Sequence, residues 1–195
     1  MKKDRINTEM MNRYKEEFLS GNETAFSQIY RLLSKDLYSY GLSFNAHHEL
    51  IEDAIHDVFM NIYTNKKVLV KVEDLKFYLF RVFRNRLFFL IKQESLQLYM
   101  METSYPDQAD ENFEYIWIEQ ENEAEQKAMV DKFLKGLNVH QREVIHLRYI
   151  EGLSCEKVSD ILKIDVQSVK NLTCRAMKRI RTVLACLLPL LIHLY

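Results

Sequence analysis

Glycine and proline are scarce in this chain, 4 and 2 among 195 residues. Tight turns rely on those two residues. A sandwich or barrel of short strands, with its many hairpins, is therefore excluded, and an all-α fold is expected. Cysteine is scarce as well. Its 3 copies (Cys155, Cys174, Cys186) are odd in number and form no Cys-x-x-Cys pair, which argues against a disulfide framework or a zinc ribbon. No apolar run reaches the roughly 18 residues that span a bilayer. Met1-Lys2-Lys3-Asp4-Arg5 leads into polar residues rather than a signal-peptide core. A reduced, cytoplasmic setting is the expectation. A glycine-rich phosphate loop and a nucleophile elbow are also missing. His48, Glu52 and His56 stand at four-residue spacing but do not spell His-Glu-x-x-His, so no metal, cofactor, catalytic residue or small-molecule substrate is expected, and the chain does not read as an enzyme.

Apolar residues make up 48% and charged residues 28%, a globular composition at a length suited to one domain or two small ones. Net charge is −1, but its distribution is uneven. Residues 1–92 hold 15 Lys and Arg against 12 acids, residues 93–126 hold 10 acids and no Lys or Arg, and residues 127–195 hold 12 basic residues against 6 acids. Two basic modules joined by an acidic linker follow from this pattern, with expected bounds 1–92, 93–122 and 123–195. Inside the acidic stretch, Phe113, Tyr115, Ile116, Trp117 and Ile118 form an apolar knot. That stretch is either a loop pinned to a neighbouring domain or a mimic of nucleic-acid phosphates seated in a basic groove.

Helical periodicity organises the first module. Helices are expected over Met10–Leu19, from Ala25 to near Gly41, and from about Glu49 to Thr64. In the third, Ile51, Ala54, Ile55, Val58 and Ile62 share one face, and Glu52, Asp53, His56, Asp57 and Met60 share the opposite one. The acidic arc suits either a solvated face or a docking surface for a basic partner. A fourth helix is expected from Leu75 to about Lys92. Leu75, Leu79, Val82, Phe83, Leu87 and Leu90 point to a core, while Phe77, Tyr78, Arg81, Arg84, Asn85, Phe88 and Lys92 form another arc. Interleaved cations and rings suit single-stranded nucleic acid, with cations along phosphates and rings under bases. The same arc also fits a helix that is core on most sides, with snorkelling arginines. Before it stands the basic loop Asn65-Lys66-Lys67-Val68-Leu69-Val70-Lys71.

In the second module, helices are expected over Glu123–Lys135 and His140–Ile150, the latter closed by Glu151-Gly152. Ser154 can cap a short helix and Asp165 the next after a three-residue turn. Val158, Leu162, Ile164 and Val169 fall where a helix-turn-helix buries its contacts, with small Ser159 at the close approach. The following helix has a stripe of Val166, Val169, Leu172, Ala176, Ile180 and Val183, and an outer face of Gln167, Lys170, Asn171, Cys174, Arg175, Lys178 and Arg181. Amides and cations near the N-terminal end of such a helix suit base edges and phosphates in a major groove. The apolar tail Val183–Tyr195 either packs on its own domain or binds a partner or membrane surface.

Three stretches carry a family resemblance. Glu49-Leu50-Ile51-Glu52-Asp53-Ala54-Ile55-His56-Asp57-Val58-Phe59, then Tyr78-Leu79-Phe80-Arg81-Val82-Phe83-Arg84-Asn85, and finally Arg142-Glu143-Val144-Ile145-His146-Leu147-Arg148-Tyr149-Ile150-Glu151-Gly152-Leu153-Ser154 onward to Arg181, resemble RNA polymerase sigma factors of the sigma-70 family, extracytoplasmic-function (ECF) group. The resemblance implies a region 2 helical bundle and a region 4 helix-turn-helix in a transcription initiation factor. Its implied partners are core RNA polymerase, promoter DNA and an anti-sigma factor, often membrane-bound. It implies polymerase docking through Glu52, Asp53, His56, Asp57 and Met60. Promoter melting would fall to Lys66, Lys67, Lys71, Tyr78, Arg81, Arg84 and Asn85, and duplex reading to Gln167, Ser168, Lys170, Asn171, Arg175 and Lys178. Where the family often has Pro, Gly and Arg, this chain has Asn138, Lys163 and Leu172, and Phe89 stands near a position that is often acidic. The rival reading is a helix-turn-helix regulator that acts without polymerase.

Overall fold

The structure, a computed structural model, describes residues 2–102 and 136–192, with side chains described over 9–96 and 136–182. The apolar knot of the acidic stretch, the expected helix Glu123–Lys135 and the side chains of the apolar tail lie outside these residues. The described elements are all helical, with no strand among them, and they fall into two compact units, one before and one after residues 103–135.

Four helices build the first unit: α1 (Lys2–Leu19), α2 (Glu23–Leu42), α3 (His48–Thr64) and α4 (Leu75–Glu102). Helix α1 begins a full two turns before the expected Met10. Helix α4 runs ten residues past Lys92, so the first part of the acidic segment is helix rather than extended chain. Asn22 caps α2 by accepting from the Thr24 N–H at 3.0 Å. Asp74 does the same for α4, taking the Phe77 N–H at 3.0 Å. At Gly41 an added Cβ would sit 2.6 Å from Ile51 Cγ2, so glycine is what lets α2 and α3 cross so closely.

The core is assembled from one stripe per helix. Ile29, Leu33, Leu37 and Tyr40 of α2 meet Ile51, Ala54, Ile55, Val58 and Ile62 of α3 and Leu75, Leu79, Phe83 and Leu87 of α4, all buried. Each large side chain contributes about 1.5–3 kcal/mol by leaving water. Phe80 is also buried, its ring 5.3 Å from Tyr40, while Val82 and Leu90 are only half-buried. The inward face of α4 is thus turned toward Phe80. Between α3 and α4 the basic loop winds into a 3-10 turn, Lys66–Lys71, anchored by fully buried Leu69.

The second unit holds α5 (Val139–Ile145), α6 (Cys155–Leu162) and α7 (Val166–Ile192). Asn138 and Gln141 form a reciprocal capping box at the start of α5, at 2.9 and 3.2 Å. Asn138 therefore supplies by side chain what a helix-starting proline supplies by its fixed φ. The expected continuous helix to Ile150 instead widens into a π turn over His146–Ile150, closed by Glu151 N–H on the His146 carbonyl at 3.0 Å. Inside that turn His146 Nε2 and Glu151 Oε1 meet at 3.1 Å, both buried. Ser154 caps α6, accepting from the Lys157 N–H at 3.3 Å. Lys163 ends α6 in the left-handed region, φ 57°. The Ser159 hydroxyl donates to the Ile164 carbonyl at 2.6 Å and braces the turn into α7. Helix α7 runs on through Pro189 into the apolar tail.

Candidate nucleic-acid interface

Val158, Leu162 and Val169 are buried between α6 and α7, and Ala176 is buried further along, so α7 is held by one stripe and presents the other. Gln167, Lys170, Asn171, Cys174, Arg175 and Lys178 are exposed on that outer face. Gln167 Nε2 donates to Asn171 Oδ1 at 3.2 Å, which fixes two amides one turn apart in a shared orientation. Ser168 is placed differently. Its N–H and hydroxyl donate to Asp165 at 2.8 and 2.6 Å, and the side chain is half-buried. The hydroxyl proton is committed to the helix cap. Those two Ser168 bonds, the hydroxyl's first, hold the Asp165 carboxyl below its usual pKa.

Two grooves border α7. One, of about 390 Å³, has Leu162, Ile164 and Leu172 among its lining, with Asn171 and Arg175. Leu172 is half-buried there. The other, of about 550 Å³, gathers Arg148, Lys170, Lys178 and Arg181 around Cys155 and Cys174. Glu156 sits close to these cations. Its carboxyl is pulled below the usual range first by its own backbone N–H, then by the Ser154 hydroxyl, with Lys170 and Arg148 adding their charge.

In the first unit the acidic arc divides. Glu52, Asp53, His56 and Met60 are exposed on α3. Asp57 instead takes both Nε and Nη2 of Arg86 on Oδ2, each at 2.7 Å, tying α3 to α4. The Arg86 guanidinium lies 5.1 Å from the ring centre of Phe89, which is largely exposed. Arg86 escapes sequence reasoning, because it falls between the two arcs of α4 and nothing local marks Asp57 as its partner.

On α4, Arg81 and Asn85 are exposed, and Tyr78 and Arg84 are half-buried. Burial raises the Tyr78 phenol pKa. The Arg84 guanidinium stands over the Phe88 ring at 4.5 Å. Lys67 and Lys71 are exposed on the neighbouring turn, with Val68 and Val70. Lys66 is not directed outward with them. Its ammonium lies 4.4 Å from the Phe18 ring centre and 5.6 Å from that of Tyr63, a cation–π arrangement. The turn is held down by Lys15 Nζ on the Val72 carbonyl at 2.6 Å and Asn12 Nδ2 on the Glu73 carbonyl at 2.8 Å. Lys67, Lys71, Arg81 and Asn85 are therefore exposed on a fixed frame, and Lys66 is half-buried against the rings of Phe18 and Tyr63.

Among the described residues no group of three or more His, Cys, Asp or Glu could hold a metal ion, and no helix is long and apolar enough to cross a membrane.

Residues 127–180 match the family model described as "Sigma-70, region 4". The ECF RNA polymerase sigma factor SigM of Bacillus subtilis (strain 168) is 23% identical over 154 residues, 79% of this chain and 91% of that protein. Among solved structures, the sigma factor RpoE in complex with the anti-sigma factor NepR from Bartonella quintana has a TM-score of 0.60 at 21% identity, covering 82% of this chain and 96% of its own. CnrH in complex with the cytosolic domain of CnrY has a TM-score of 0.59 at 19% identity, covering 91% and 98%. The structural likenesses speak for a shared fold. The second unit thus matches sigma-70 region 4, and over most of its length the chain is similar to an ECF RNA polymerase sigma factor.

Proposed function

We propose that this protein binds core RNA polymerase and directs it to specific promoters, with the first module (1–92) opening the proximal element and the second (123–195) reading the distal element as intact duplex. The observation that carries this reading is the outer face of α7. A helix-turn-helix with its apolar contacts buried leaves Gln167, Lys170, Asn171, Arg175 and Lys178 exposed along the first half of that helix. The amides match base edges and the cations match phosphates. In the first unit, Glu52, Asp53, His56 and Met60 would dock onto a basic surface of the polymerase. Arg81, Arg84 and Asn85 would follow the displaced strand, with Lys67 and Lys71 beside the turn that receives an extruded base. Extrusion costs a few kcal/mol, which stacking and hydrogen bonds in the pocket must offset. An anti-sigma factor that covers one or both surfaces is the expected regulator, as a sigma factor of the same fold is seen bound to one.

A regulator that acts without polymerase would explain α5–α7 and leave the exposed acidic arc of α3 without a task. Run-off transcription with core polymerase on genomic fragments separates the two. The expected result is a promoter-specific transcript that needs this chain and disappears with Lys170→Ala plus Arg175→Ala. Failure of core polymerase to retain the chain would refute the proposal.

A further inference from the structure

We infer that Asn12 and Lys15 of α1 are positioning residues, which hold the Lys66–Lys71 turn in one shape and so set how strictly the protein selects bases of the proximal element. The inference rests on the proposed function, in which that turn receives an extruded base, and goes further by assigning its selectivity to a neighbouring helix.

Helix α1 carries a charge where its packing stripe calls for an apolar side chain. Met11, Lys15 and Phe18 recur at helical spacing and are all buried, Lys15 to 6% exposure. A lysine is almost never buried so far unless its ammonium has partners, because a charge loses strong hydration on leaving water. Here Nζ donates to the Val72 carbonyl at 2.6 Å and lies 3.1 Å from Oε1 of exposed Glu16. A pair with Glu16 alone can form at the surface. The bond to Val72 is what the buried position provides. One turn earlier on the same face, Asn12 Nδ2 donates to the Glu73 carbonyl at 2.8 Å. Two successive carbonyls at the exit of the turn are thus tied to α1. Its entry is tied to the same helix, since Lys66 Nζ lies 4.4 Å from the Phe18 ring centre. Between these ties Leu69 is fully buried, and Val68 and Val70 on either side of it are exposed. A six-residue 3-10 turn has poor hydrogen-bond geometry and little shape of its own. Tied at both ends and pinned at Leu69, it stands ordered before any ligand arrives. A fixed receiver rejects a base whose groups do not match, whereas a loose one moves to accommodate it. The charge-assisted bond from Lys15 is the stronger of the two exit ties.

The test is run-off transcription by the full chain with core RNA polymerase, on a promoter recovered from genomic fragments and on the same promoter with single substitutions in the proximal element. The readout is the ratio of transcript from the native template to transcript from each substituted one. The wild type is expected to favour the native template by about tenfold at a critical base, the usual penalty of one wrong base. Lys15→Met keeps the bulk of the side chain without its donors, and Asn12→Leu does the same at its position. Each should bring the ratio down toward equality while protection of the distal element is unchanged. Asn12 is only half-buried, so its variant decides the outcome if Lys15→Met does not fold. Equal loss of transcript on every template would mean fewer active molecules and a purely structural role, and would overturn the inference. Variants as selective as a selective wild type would overturn it too, with the base-receiving reading of the turn intact. A wild type that transcribes native and substituted templates alike would overturn that reading and the inference with it.

Discussion

Lys163→Gly should make the second unit more stable. Lys163 ends α6 at φ 57° and ψ 42°, in the left-handed region, where its Cβ crowds the following carbonyl. That conformation costs an L-residue roughly 1–2 kcal/mol relative to glycine. Glycine in turn gives back about 0.5–1 kcal/mol, because its unfolded chain has more freedom to lose. The difference leaves a net gain of about 0.5–1 kcal/mol. For a unit of this size that corresponds to a rise in Tm of about 3–6 °C. Thermal unfolding of the full chain, followed by circular dichroism with the urea midpoint as a second measure, reads the effect. Lys163→Ala is the control. It removes the long side chain but keeps the Cβ, and so should gain almost nothing. Equal stabilisation by alanine and glycine, or loss of stability with glycine, would refute the reasoning, because the benefit would then not come from the backbone.

Two further outcomes are expected. A double-mutant cycle on Asp57→Ala and Arg86→Ala should give a coupling of roughly 0.2–1 kcal/mol in urea unfolding, falling in high salt, because both side chains remain about two-fifths exposed. Asp165 has its pKa lowered by Ser168, so its cap contributes stability above the ordinary aspartate pKa and loses it as pH falls through the folded value. Asp165→Asn keeps an acceptor without a titrating proton, and its melting temperature between about pH 5 and pH 3 should fall less steeply than that of the wild type. A slope identical to the wild type's would remove Asp165 from the acid response.

The two faces of α7 are legible in the sequence because one helix with a 3.6-residue period sorts Val169 and Ala176 from Lys170, Asn171 and Arg175 without help from other elements. The capping roles of Ser154 and Asp165 are legible for the same reason, being local. Helix α4 is harder. Apolar residues occur on most of its sides, so periodicity alone does not tell that Phe80 is core and Val82 is not, and the choice is made by Tyr40 on another helix. The Asp57–Arg86 pair and the seating of Lys66 over Phe18 depend on how helices register against each other, which no spacing within one helix encodes. The π turn belongs to the same class. It encloses the buried His146–Glu151 contact, a tertiary arrangement inside a stretch whose sequence reads as plain helix. Residue type alone also does not tell that the Ser168 hydroxyl proton is donated to Asp165 in the helix cap.

In the proposed function α7 holds duplex and α4 holds the opened strand, a division of labour. Footprinting and permanganate reactivity on one promoter, with the chain and core polymerase together, test it in a single experiment. The account predicts that Arg81→Ala with Asn85→Ala preserves protection of the distal element while thymines of the proximal element lose their reactivity. Lys170→Ala with Arg175→Ala should abolish the distal protection. An α4 variant that opens the promoter as fully as the wild type would contradict the account.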